Sequence, residues 1–443
     1  MSLVMGIDSS TQSCKVLVRD TDTREVVRAS AVPHPGGSEV DPDLWWEALL
    51  EAIAQAGGLA DIAAVSIAGQ QHGLVTLDAA GAAVRPALLW NDTRSSREAE
   101  ELIEEFGAEE IVKRTGTLPV AALTSSKLFW VARHEPDNAL RTAAVCLPHD
   151  YLSWRLSDTY PDINGLFTDR SDASGTGYFN PTTNVYDEEI LRFCLNHTVS
   201  VPRVVAGGEA AGRVSAEYAP HQPLIGSGMG DNASAAKGMG LTPGTLAVSL
   251  GTSGTVFGVS VSPSSDERGY ISGFASADGN YLPLVCTLNA ARVLSWGSSL
   301  LGVGLDDFSD LALGASPGAA GLVLEPYLEG ERTPNLPDAT ASLKGITLVS
   351  GTRENFARAC VEGMLRNLVD ASSHLSDAGH TVEGVILIGG AAASPAVRQI
   401  AQEMFPVPVE VAEPAEYVAL GACTQAEDIL HEALPESLVR RRA

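Results

Sequence analysis

Residues 5–20 read MGIDSSTQSCKVLVRD, and this stretch decides how the chain begins to fold. An apolar run stops at Asp8, small polar residues and a cysteine follow, and after Lys15 the chain returns to the apolar run VLV. This order predicts two strands joined by a tight turn. Successive backbone N–H groups in such a turn can bind phosphate oxygens, Lys15 can reach a phosphate, and Asp8 can hold Mg²⁺ directly or through water. The alternative is an ordinary hairpin whose aspartate starts the turn.

The same plan of strand, hydroxyl-rich turn and strand returns in residues 246–261, LAVSLGTSGTVFGVSV. When the two stretches are aligned, Asp8 falls on Gly251 and Thr11 falls on Gly254. Neither turn has the P-loop pattern at a strand-to-helix junction. This internal similarity predicts two similarly built halves whose turns bind the phosphates of one nucleotide. The alternative is that any two hairpins resemble each other to some degree.

The organisation of the chain indicates an α/β protein with more than one domain. A chain of 443 residues favours two or three domains, and helical segments alternate with strand-like segments throughout. The stretch DPDLWWEALLEAIAQAG, 41–57, predicts a helix capped by Asp41. A glycine-rich region poor in charge lies near 225–245. We therefore predict an N-terminal domain over 1–230 and a C-terminal domain over 231–443.

Composition and charge limit the partners and the compartment. The formal net charge is -26 at pH 7, and such an acidic surface repels nucleic acid and anionic membranes. The six cysteines form no CxxC pair, which argues against a zinc site or a disulfide framework and favours a reducing cytoplasm. Neither a signal peptide nor a run of about 20 apolar residues is evident. The basic ending LVRRRA, residues 438–443, predicts a frayed terminus.

Two polar or aromatic clusters suit the binding of a polyol. In GQQHGLVTLD, residues 69–78, Gln71 and His72 lie between glycines after a predicted strand, so their side chains can project into a cleft. In KLFW, Trp130 offers a face on which a sugar can stack. A structural hydrogen-bonding role for the histidine and a core position for the tryptophan are the competing interpretations.

The strongest single catalytic candidate is Asp231 in GSGMGDNASAAKGMG, with Asn232 beside it. A carboxylate in an open glycine-rich turn before a helix can act as a general base that takes the proton of a sugar hydroxyl while the oxygen attacks a γ-phosphate. Its competing role is that of a helix N-cap.

A third glycine-rich turn follows the predicted strand GVILIGG near the C-terminal end. Gly389, Gly390 and Ala391 let a flat ring or a ribose approach the backbone closely, which indicates an adenosine pocket. A strand-to-helix turn that needs glycine only for packing explains the residues equally well.

Taken together, these stretches resemble the FGGY family of carbohydrate kinases. The resemblance runs in order along nearly the whole chain, through GIDSSTQSCKVLV, GQQHGLV, LLWNDTR, KLFWV, DYLSWRL, TDRSDASGTGYFN, GMGDNASAAKGMG, SLGTSGTVF, PYLEGERTPNLPDA and GGAAASP. It implies a two-domain actin-like ATPase fold of the ribonuclease H type, with a five-stranded mixed sheet in each domain and an active site in the interdomain cleft. Within the family, the Gly-Gln-Xaa-His-Gly stretch resembles the xylulokinase branch, which implies ATP-dependent phosphorylation of D-xylulose.

The resemblance also implies a role for each matching residue. Asp231 matches the catalytic base, and Asp8 matches the acidic residue associated with Mg²⁺ and phosphate. The implied sugar contacts are Gln71, His72, Trp130 and Asn232, and the implied ATP contacts are Thr11, Lys15, Gly251, Thr252, Gly389, Gly390 and Ala391. Ser10 stands where many relatives carry glycine, a departure that alters the first phosphate turn.

Three alternatives to this interpretation stay open. The chain could phosphorylate another ketose or a polyol, or bind sugar or nucleotide without catalysis, or act as an actin-like nucleotide switch for a protein partner. The sequence shows no partner-binding appendage that the last alternative needs. The family also includes homodimers, and the sequence leaves the oligomeric state open.

Overall fold

The computed structural model describes residues 2–433, so the basic ending at 438–443 lies outside the described residues. The described chain divides into two compact units. The first unit contains residues 2–240, 273–282 and 416–433, and the second contains residues 241–272 and 283–415.

The strands are short to medium in length and occur throughout the chain. They are β1 (Leu3–Ser9), β2 (Ser13–Asp20), β3 (Val26–Pro33), β4 (Glu39–Val40), β5 (Ile62–Gly69), β6 (Val75–Leu77), β7 (Ala87–Leu88), β8 (Ala144–Cys146), β9 (Phe167–Asp169), β10 (Phe179–Asn180), β11 (Val185–Tyr186), β12 (Arg203–Val205), β13 (Ala210–Arg213), β14 (Leu224–Gly226), β15 (Met229–Gly230), β16 (Gly244–Leu250), β17 (Gly254–Gly258), β18 (Ser272–Ala275), β19 (Tyr281–Thr287), β20 (Val323–Glu325), β21 (Ser342–Lys344), β22 (Val382–Ile388) and β23 (Val409–Val411).

Helices alternate with these strands, as the sequence predicts for an α/β protein. They are α1 (Pro42–Gln55), α2 (Ser96–Phe106), α3 (Ala108–Thr115), α4 (Thr124–His134), α5 (Pro136–Arg141), α6 (Pro148–Leu156), α7 (Arg170–Ala173), α8 (Glu188–Leu195), α9 (Asp231–Met239), α10 (Ala291–Leu301), α11 (Leu305–Gly314), α12 (Arg353–Asp377), α13 (Pro395–Met404) and α14 (Tyr417–Ala433), with 3-10 turns at Ile163–Gly165, Ala319–Gly321 and Gly390–Ala393. Among residues 2–433, no helix has the length and apolarity needed to cross a bilayer.

The main sheet of the first unit is built on the opening hairpin. Strands β1 and β2 pair antiparallel with Asp8 opposite Lys15, and the turn is closed by a hydrogen bond from Ser10 N to Ser13 O at 3.0 Å. The sheet order is β13-β14-β5-β1-β2-β3, with β15 also paired to β5. Five of these strands, β14-β5-β1-β2-β3, form the expected mixed sheet, and β13 and β15 extend it.

Helix α1 shows why the sequence folds as predicted at this point. The Asp41 side chain accepts a hydrogen bond from Asp43 N at 3.0 Å, and Pro42 occupies the first turn. Trp45 and Leu49 lie one turn apart and are buried in the core of the first unit. The helix predicted over 41–57 is confirmed.

The C-terminal helix α14 packs against β1 and α9 within the first unit. The approach is close enough to require glycine: a Cβ at Gly6 would lie 2.2 Å from Ala419 O, and one at Gly421 would lie 1.9 Å from Ser234 O. The first unit therefore continues past residue 230 and recruits the end of the described chain. These packing units differ from a simple division between 1–230 and 231–443.

The second unit repeats the arrangement of the first. Strands β16 and β17 pair antiparallel with Leu250 opposite Gly254, and β22 pairs parallel to β16. The order β19-β17-β16-β22-β23 therefore matches β3-β2-β1-β5-β14 of the first unit. Helix α12 buries an apolar face that includes Met364 and Leu368 against this unit's core. The echo between the two hairpins reflects two similarly built sheets.

Candidate active site

Three strands of the first unit bring the candidate residues to one edge of its sheet. β1 and β15 both pair parallel with β5, with Ser9 opposite Gly69 and Gly230 opposite Gly69. Because the carboxyl ends of parallel strands meet at one edge, the segments that follow these strands lie side by side. The first phosphate turn, the Gln71–His72 pair and Asp231 are therefore neighbours, although they are far apart in sequence.

Asp231 is the first residue of helix α9, and the N-cap is Gly230, so the interpretation of Asp231 as an N-cap is wrong. Its Oδ1 accepts hydrogen bonds from Asn232 N at 2.7 Å and from Asn232 Nδ2 at 2.8 Å. Burial, then the charges of Asp8 and Asp172, raise the pKa of Asp231 to about 7. The carboxyl group therefore exchanges its proton near neutral pH, as a general base must.

Asp8 lies at the end of β1 and is buried, with 3% of its surface exposed. Its Oδ1 accepts a hydrogen bond from Ser10 Oγ at 2.6 Å. Burial raises the pKa of Asp8 to about 6, against the lowering effects of the Ser10 hydroxyl and of the Lys15 charge. A second carboxyl group with a raised pKa thus stands in Coulombic range of Asp231.

Gln71 and Asn232 are joined directly across the two strand ends. Asn232 Nδ2 donates to Gln71 Oε1 at 3.0 Å. A Cβ at position 230 would lie 2.5 Å from Gln71 Nε2, so only glycine leaves room for this side chain. Because Asn232 also donates to Asp231, these side chains form one hydrogen-bonded group.

His72 is held in an unusual backbone conformation beside this group. Its φ is 67°, a left-handed value that is uncommon for residues other than glycine. Its Nδ1 lies 2.7 Å from Gly175 O, and its ring centroid lies 5.3 Å from that of Phe274. The ring is therefore fixed from two sides, which suits a residue that orients a ligand.

The first phosphate turn has two contacts that modify its expected role. Lys15 Nζ bonds Glu416 Oε2 at 2.6 Å, so the lysine already has a carboxylate partner. Thr11 Oγ1 accepts from Trp90 Nε1 at 2.9 Å, and Trp90 remains partly exposed beside the turn. A tryptophan next to the phosphate turn was not among the predicted site residues, although LLWNDTR was among the recognised stretches.

Trp130 is packed among side chains of its own region. Its ring stacks on His134 with centroids 5.0 Å apart, and the Arg94 guanidinium lies 5.0 Å from its centroid. It also packs against an apolar cluster that includes Leu128 and Val131. The contacts of the described residues do not join it to Gln71 or Asn232, so its sugar-binding role stays a prediction.

The second unit contains a cavity of about 500 Å³ at its own glycine-rich turns. Gly251, Thr252, Gly390 and Ala391 line it, together with apolar side chains such as Phe308. Gly389 is not part of the lining: its φ is 91°, and a Cβ there would lie 2.9 Å from the backbone of Leu250. A cavity of this volume, with small residues on one wall, can hold a nucleoside.

The matched stretches identify the chain's relatives. A profile of the N-terminal domain of the FGGY family of carbohydrate kinases matches residues 3–238, and a profile of the C-terminal domain matches residues 246–426. The chain belongs to the FGGY family of carbohydrate kinases. Its α/β fold is that of the actin-like ATPases, as the sequence predicts.

The FGGY relatives include enzymes that act on xylulose. The chain is 43% identical to the xylulose kinase of Streptomyces rubiginosus, over 99% of this chain and 90% of that protein. It is 34% identical to the xylulose kinase of Escherichia coli, over 90% of this chain and 84% of that protein. The crystal structure of the xylulose kinase from Bifidobacterium adolescentis superposes with a TM-score of 0.92 and 42% identity, covering 97% of this chain and 93% of that one.

A buried charged cluster behind the site of this FGGY chain was missed from the sequence. His149 and Asp172 are fully buried, with Nε2 3.1 Å from Oδ2, and Asp150 and Asp169 lie within 4 Å of the same imidazole nitrogen. The three aspartates of the cluster fall in the stretches DYLSWRL and TDRSDASGTGYFN, and His149 comes directly before the first of them. Charged residues in such positions are the one signal that could have indicated it.

Proposed function

We propose that this protein transfers the γ-phosphoryl group of ATP to D-xylulose, with Asp231 as the general base, giving D-xylulose 5-phosphate and ADP. The observation that carries the proposal is the position of Asp231 at the end of β15, beside Gln71 and hydrogen-bonded to Asn232, and the raised pKa of its carboxyl group agrees with a role as base. The names of the relatives support xylulose as the substrate.

In the proposed reaction, Asp231 takes the proton of the terminal hydroxyl group of the sugar. The oxygen then forms a bond to the γ-phosphorus while the bond from that phosphorus to the bridging oxygen of ADP breaks. A base whose pKa lies near the working pH is ionised often enough to act and still basic enough to accept the proton. Positioning and neutralisation of charge supply most of the remaining catalysis in phosphoryl transfer.

Sugar recognition is assigned to the hydrogen-bonded group of the first unit. Gln71 and Asn232 offer amide donors and acceptors to hydroxyl groups, and His72 offers an imidazole held by Gly175 O. A site built to hydrogen-bond a hydroxyl group discriminates strongly against analogues that lack it, because its buried polar groups are then left unpaired. Trp130 is retained as a fourth proposed contact on family resemblance alone.

The side chains around Asp8 offer the kind of donor atom that a magnesium ion prefers. Asp8 and the Ser10 hydroxyl are hard oxygen donors, and a nearby cation would favour the ionised form of a buried carboxyl group. Asp8 would hold Mg²⁺ directly or through water, and the ion would neutralise charge on the transferring phosphoryl group. Lys15 would exchange its Glu416 partner for a phosphate oxygen.

ATP is assigned to the small-residue turns. Thr11 would donate its hydroxyl group to a phosphate, and Gly251 and Thr252 would bind phosphate through their backbone N–H groups. Gly390 and Ala391 would face the adenosine in the cavity of the second unit, with Gly389 placing that turn against Leu250. In this assignment the first unit binds the sugar and the second unit binds the adenosine.

The proposed compartment, partners and oligomeric state of the enzyme follow from its charge and its family. We propose a cytoplasmic enzyme that has neither nucleic acid nor membrane as a partner, in keeping with the net charge of -26. Assembly as a homodimer is part of the proposal and is tested by the mass of the purified protein in solution.

The deciding experiment is a coupled assay of ADP release with purified protein, ATP and Mg²⁺. D-xylulose is compared with other pentuloses, hexuloses, glycerol and gluconate at equal concentrations. We expect the highest kcat/KM for D-xylulose and a product phosphorylated at the terminal oxygen. Faster turnover of another ketose or polyol would show that D-xylulose is not the preferred substrate. ADP release that no sugar increases would refute the kinase assignment.

A further inference from the structure

A buried carboxyl group of the second unit lies near the turn to which ATP phosphate is assigned, and it has no assigned role. Glu331 has 1% of its surface exposed. It falls in PYLEGERTPNLPDA, a stretch that supplied none of the predicted site residues. Because burial of a carboxyl group is unfavourable unless its oxygens are hydrogen-bonded, the partners of Glu331 indicate what the group does in the fold.

Each carboxylate oxygen of Glu331 accepts hydrogen bonds from two N–H groups. Oε1 accepts from Leu288 N at 2.5 Å and from Arg332 N at 2.8 Å. Oε2 accepts from Asn289 Nδ2 at 3.0 Å and from Asn367 Nδ2 at 3.3 Å. A glutamine at this position would have only one side-chain oxygen, so it could not keep all of these contacts.

The Asn289 side chain is fixed in one orientation by the same region. It is fully buried, and its Nδ2 donates to Gly330 O at 2.8 Å as well as to Glu331. Its Oδ1 accepts from Leu328 N at 3.3 Å. If the amide turned over, it would lose all of these contacts, because donors and acceptors would exchange places. Residues 288 and 289 are therefore attached to the segment 328–331 through both backbone and side chain.

The next two residues of the chain hold the turn between β16 and β17, residues 251–253, which we call the second phosphate turn. Ala290 N donates to Thr252 O at 3.3 Å, and Ala291 N donates to Gly251 O at 2.9 Å. Because a peptide unit is planar, a fixed Gly251 carbonyl group also fixes the direction of the Thr252 N–H group. In the same way, the fixed Thr252 carbonyl group sets the N–H group of Ser253. Residues 290 and 291 thus orient the N–H groups of the turn.

We propose that Glu331 is a positioning residue that orients the second phosphate turn through residues 288–291. The inference rests on the proposed binding of ATP phosphate by Gly251 and Thr252. Glu331 holds the first two residues of this segment, and the last two hold the carbonyl oxygens of the turn. All of these residues belong to the second unit. Loss of the carboxylate would release the segment and let the N–H groups of the turn move away from the phosphate.

The test is the substitution Glu331→Gln, followed by calorimetric titration of the purified protein with Mg-ADP and with adenosine. The Kd for Mg-ADP should rise roughly tenfold, the size expected when one or two hydrogen bonds to phosphate weaken. The Kd for adenosine should stay within about twofold of wild type, because adenosine has no phosphate for the turn to bind. The matched control is Glu329→Gln, since the Glu329 side chain is 83% exposed and pairs with Arg292. Both Kd values of this control should equal those of wild type.

The comparison of the two ligands separates positioning from general loss of structure. An equal rise in the Kd values for Mg-ADP and adenosine would overturn the proposal, because it would mean that the whole second unit is disturbed. An unchanged Kd for Mg-ADP in Glu331→Gln would also overturn it. If wild-type protein bound neither Mg-ADP nor Mg-ATP, the proposed function itself would be refuted.

A second variant covers the case in which Glu331→Gln does not fold. Asn289→Ala leaves the carboxylate in place and removes the amide that ties residues 288–291 to it. It should show the same selective rise in the Kd for Mg-ADP, and the two substitutions together should raise this Kd by less than the product of their separate effects. A folded Asn289→Ala protein with wild-type affinity for Mg-ADP would overturn the proposal, as would fully independent effects in the double variant.

Discussion

The substitution Asp231→Asn should make the protein more stable at alkaline pH while it removes catalysis. The pKa of Asp231 is raised from 3.8 to about 7, first by burial and then by the charges of Asp8 and Asp172. The folded state thus binds this proton more tightly than the unfolded chain does. Ionisation of Asp231 therefore destabilises the folded state. This destabilisation is absent below about pH 4, grows between pH 4 and pH 7, and reaches its full size above pH 7.

The size of the effect follows from the same two values. At about 1.4 kcal/mol for each tenfold change in proton affinity, the difference between 3.8 and about 7 corresponds to about 4 kcal/mol at most. The side chain is partly exposed, and solvent screening reduces this to about 2 kcal/mol. Asparagine carries no charge at any of these pH values, so the variant should regain that free energy of unfolding at pH 8.

Thermal unfolding of the ligand-free protein between pH 5 and pH 8 measures this effect. The apparent Tm of Asp231→Asn should exceed that of wild type by a few degrees at pH 8, and the difference should shrink towards pH 5. The kcat should fall by about a hundredfold to ten-thousandfold, the range that general bases contribute. A gain of the same size at every pH, or none at pH 8, would refute the reasoning.

A carboxylate with the opposite shift supplies the control. Burial raises the pKa of Asp187, but its hydrogen bonds with Arg114 outweigh burial, so the pKa lies below the ordinary value. The folded state is therefore stabilised by the ionised form, and this contribution is lost as pH falls through the lowered pKa. Asp187→Asn should lower the apparent Tm at pH 8, the reverse of the effect at Asp231.

Three further predictions concern pH, substrate affinity and packing. In wild type with Mg-ATP well below its KM, so that the free enzyme predominates, kcat/KM for D-xylulose should fall about tenfold per pH unit below about pH 7, because protonated Asp231 cannot accept a proton; initial rates from pH 5.5 to 8.5 check this, and a flat profile would contradict it. His72→Ala should raise the KM for the sugar more than that for ATP, and equal rises in steady-state kinetics would count against His72 as a sugar ligand. Gly6→Ala should lower the free energy of unfolding in urea by about 2 kcal/mol or more, because its Cβ would lie 2.2 Å from Ala419 O, whereas Gly36→Ala, which meets no atom within 4 Å, should change it little.

Local patterns account for the parts of the fold that the sequence predicts. The two hairpins are visible because apolar runs flank short polar turns, and helix α1 is visible because its cap, its proline and its periodicity agree. The clustering of Gln71 with Asp231 also follows from local order, because Asp231 comes directly after the glycine that ends β15 and Gln71 comes two residues after the glycine that ends β5. Parallel pairing of those strands then brings the two residues together.

Contacts between distant parts of the chain could not be predicted in this way. Helix α14 is an ordinary amphipathic segment in sequence, and only the structure places it against β1, with Glu416, the residue just before the helix, as the partner of Lys15. Gly6 and Gly421 are the traces of that packing, but a glycine in a strand or a helix has several possible causes. The assignment of residues 416–433 to the first unit depends on this packing.

The buried ion pair shows a different limit of sequence analysis. Asp172 lies in a stretch that matches the family and His149 comes directly before another, yet nothing local indicates that both side chains point inward towards each other. Burial of a charge is decided by the surrounding elements, here by the glycines that shape the space around the imidazole. Trp130 shows the same limit, since nothing local in the sequence indicates that its ring stacks on His134.

The raised pKa values of Asp8 and Asp231 explain how nucleotide binding and activation of the base can be coupled. Without a cation, the charge of Asp8 contributes to raising the pKa of Asp231, and the buried carboxyl groups hold their protons up to about pH 6 and pH 7. A magnesium ion that arrives with ATP beside Asp8 would offset this charge and lower the pKa of Asp231. Below about pH 7, the proposed base would then be mostly ionised only when the phosphoryl donor is in place. The stability lost by keeping these carboxyl groups close together would make the proposed base responsive to the metal, since a solvated carboxylate would be ionised whether ATP were bound or not.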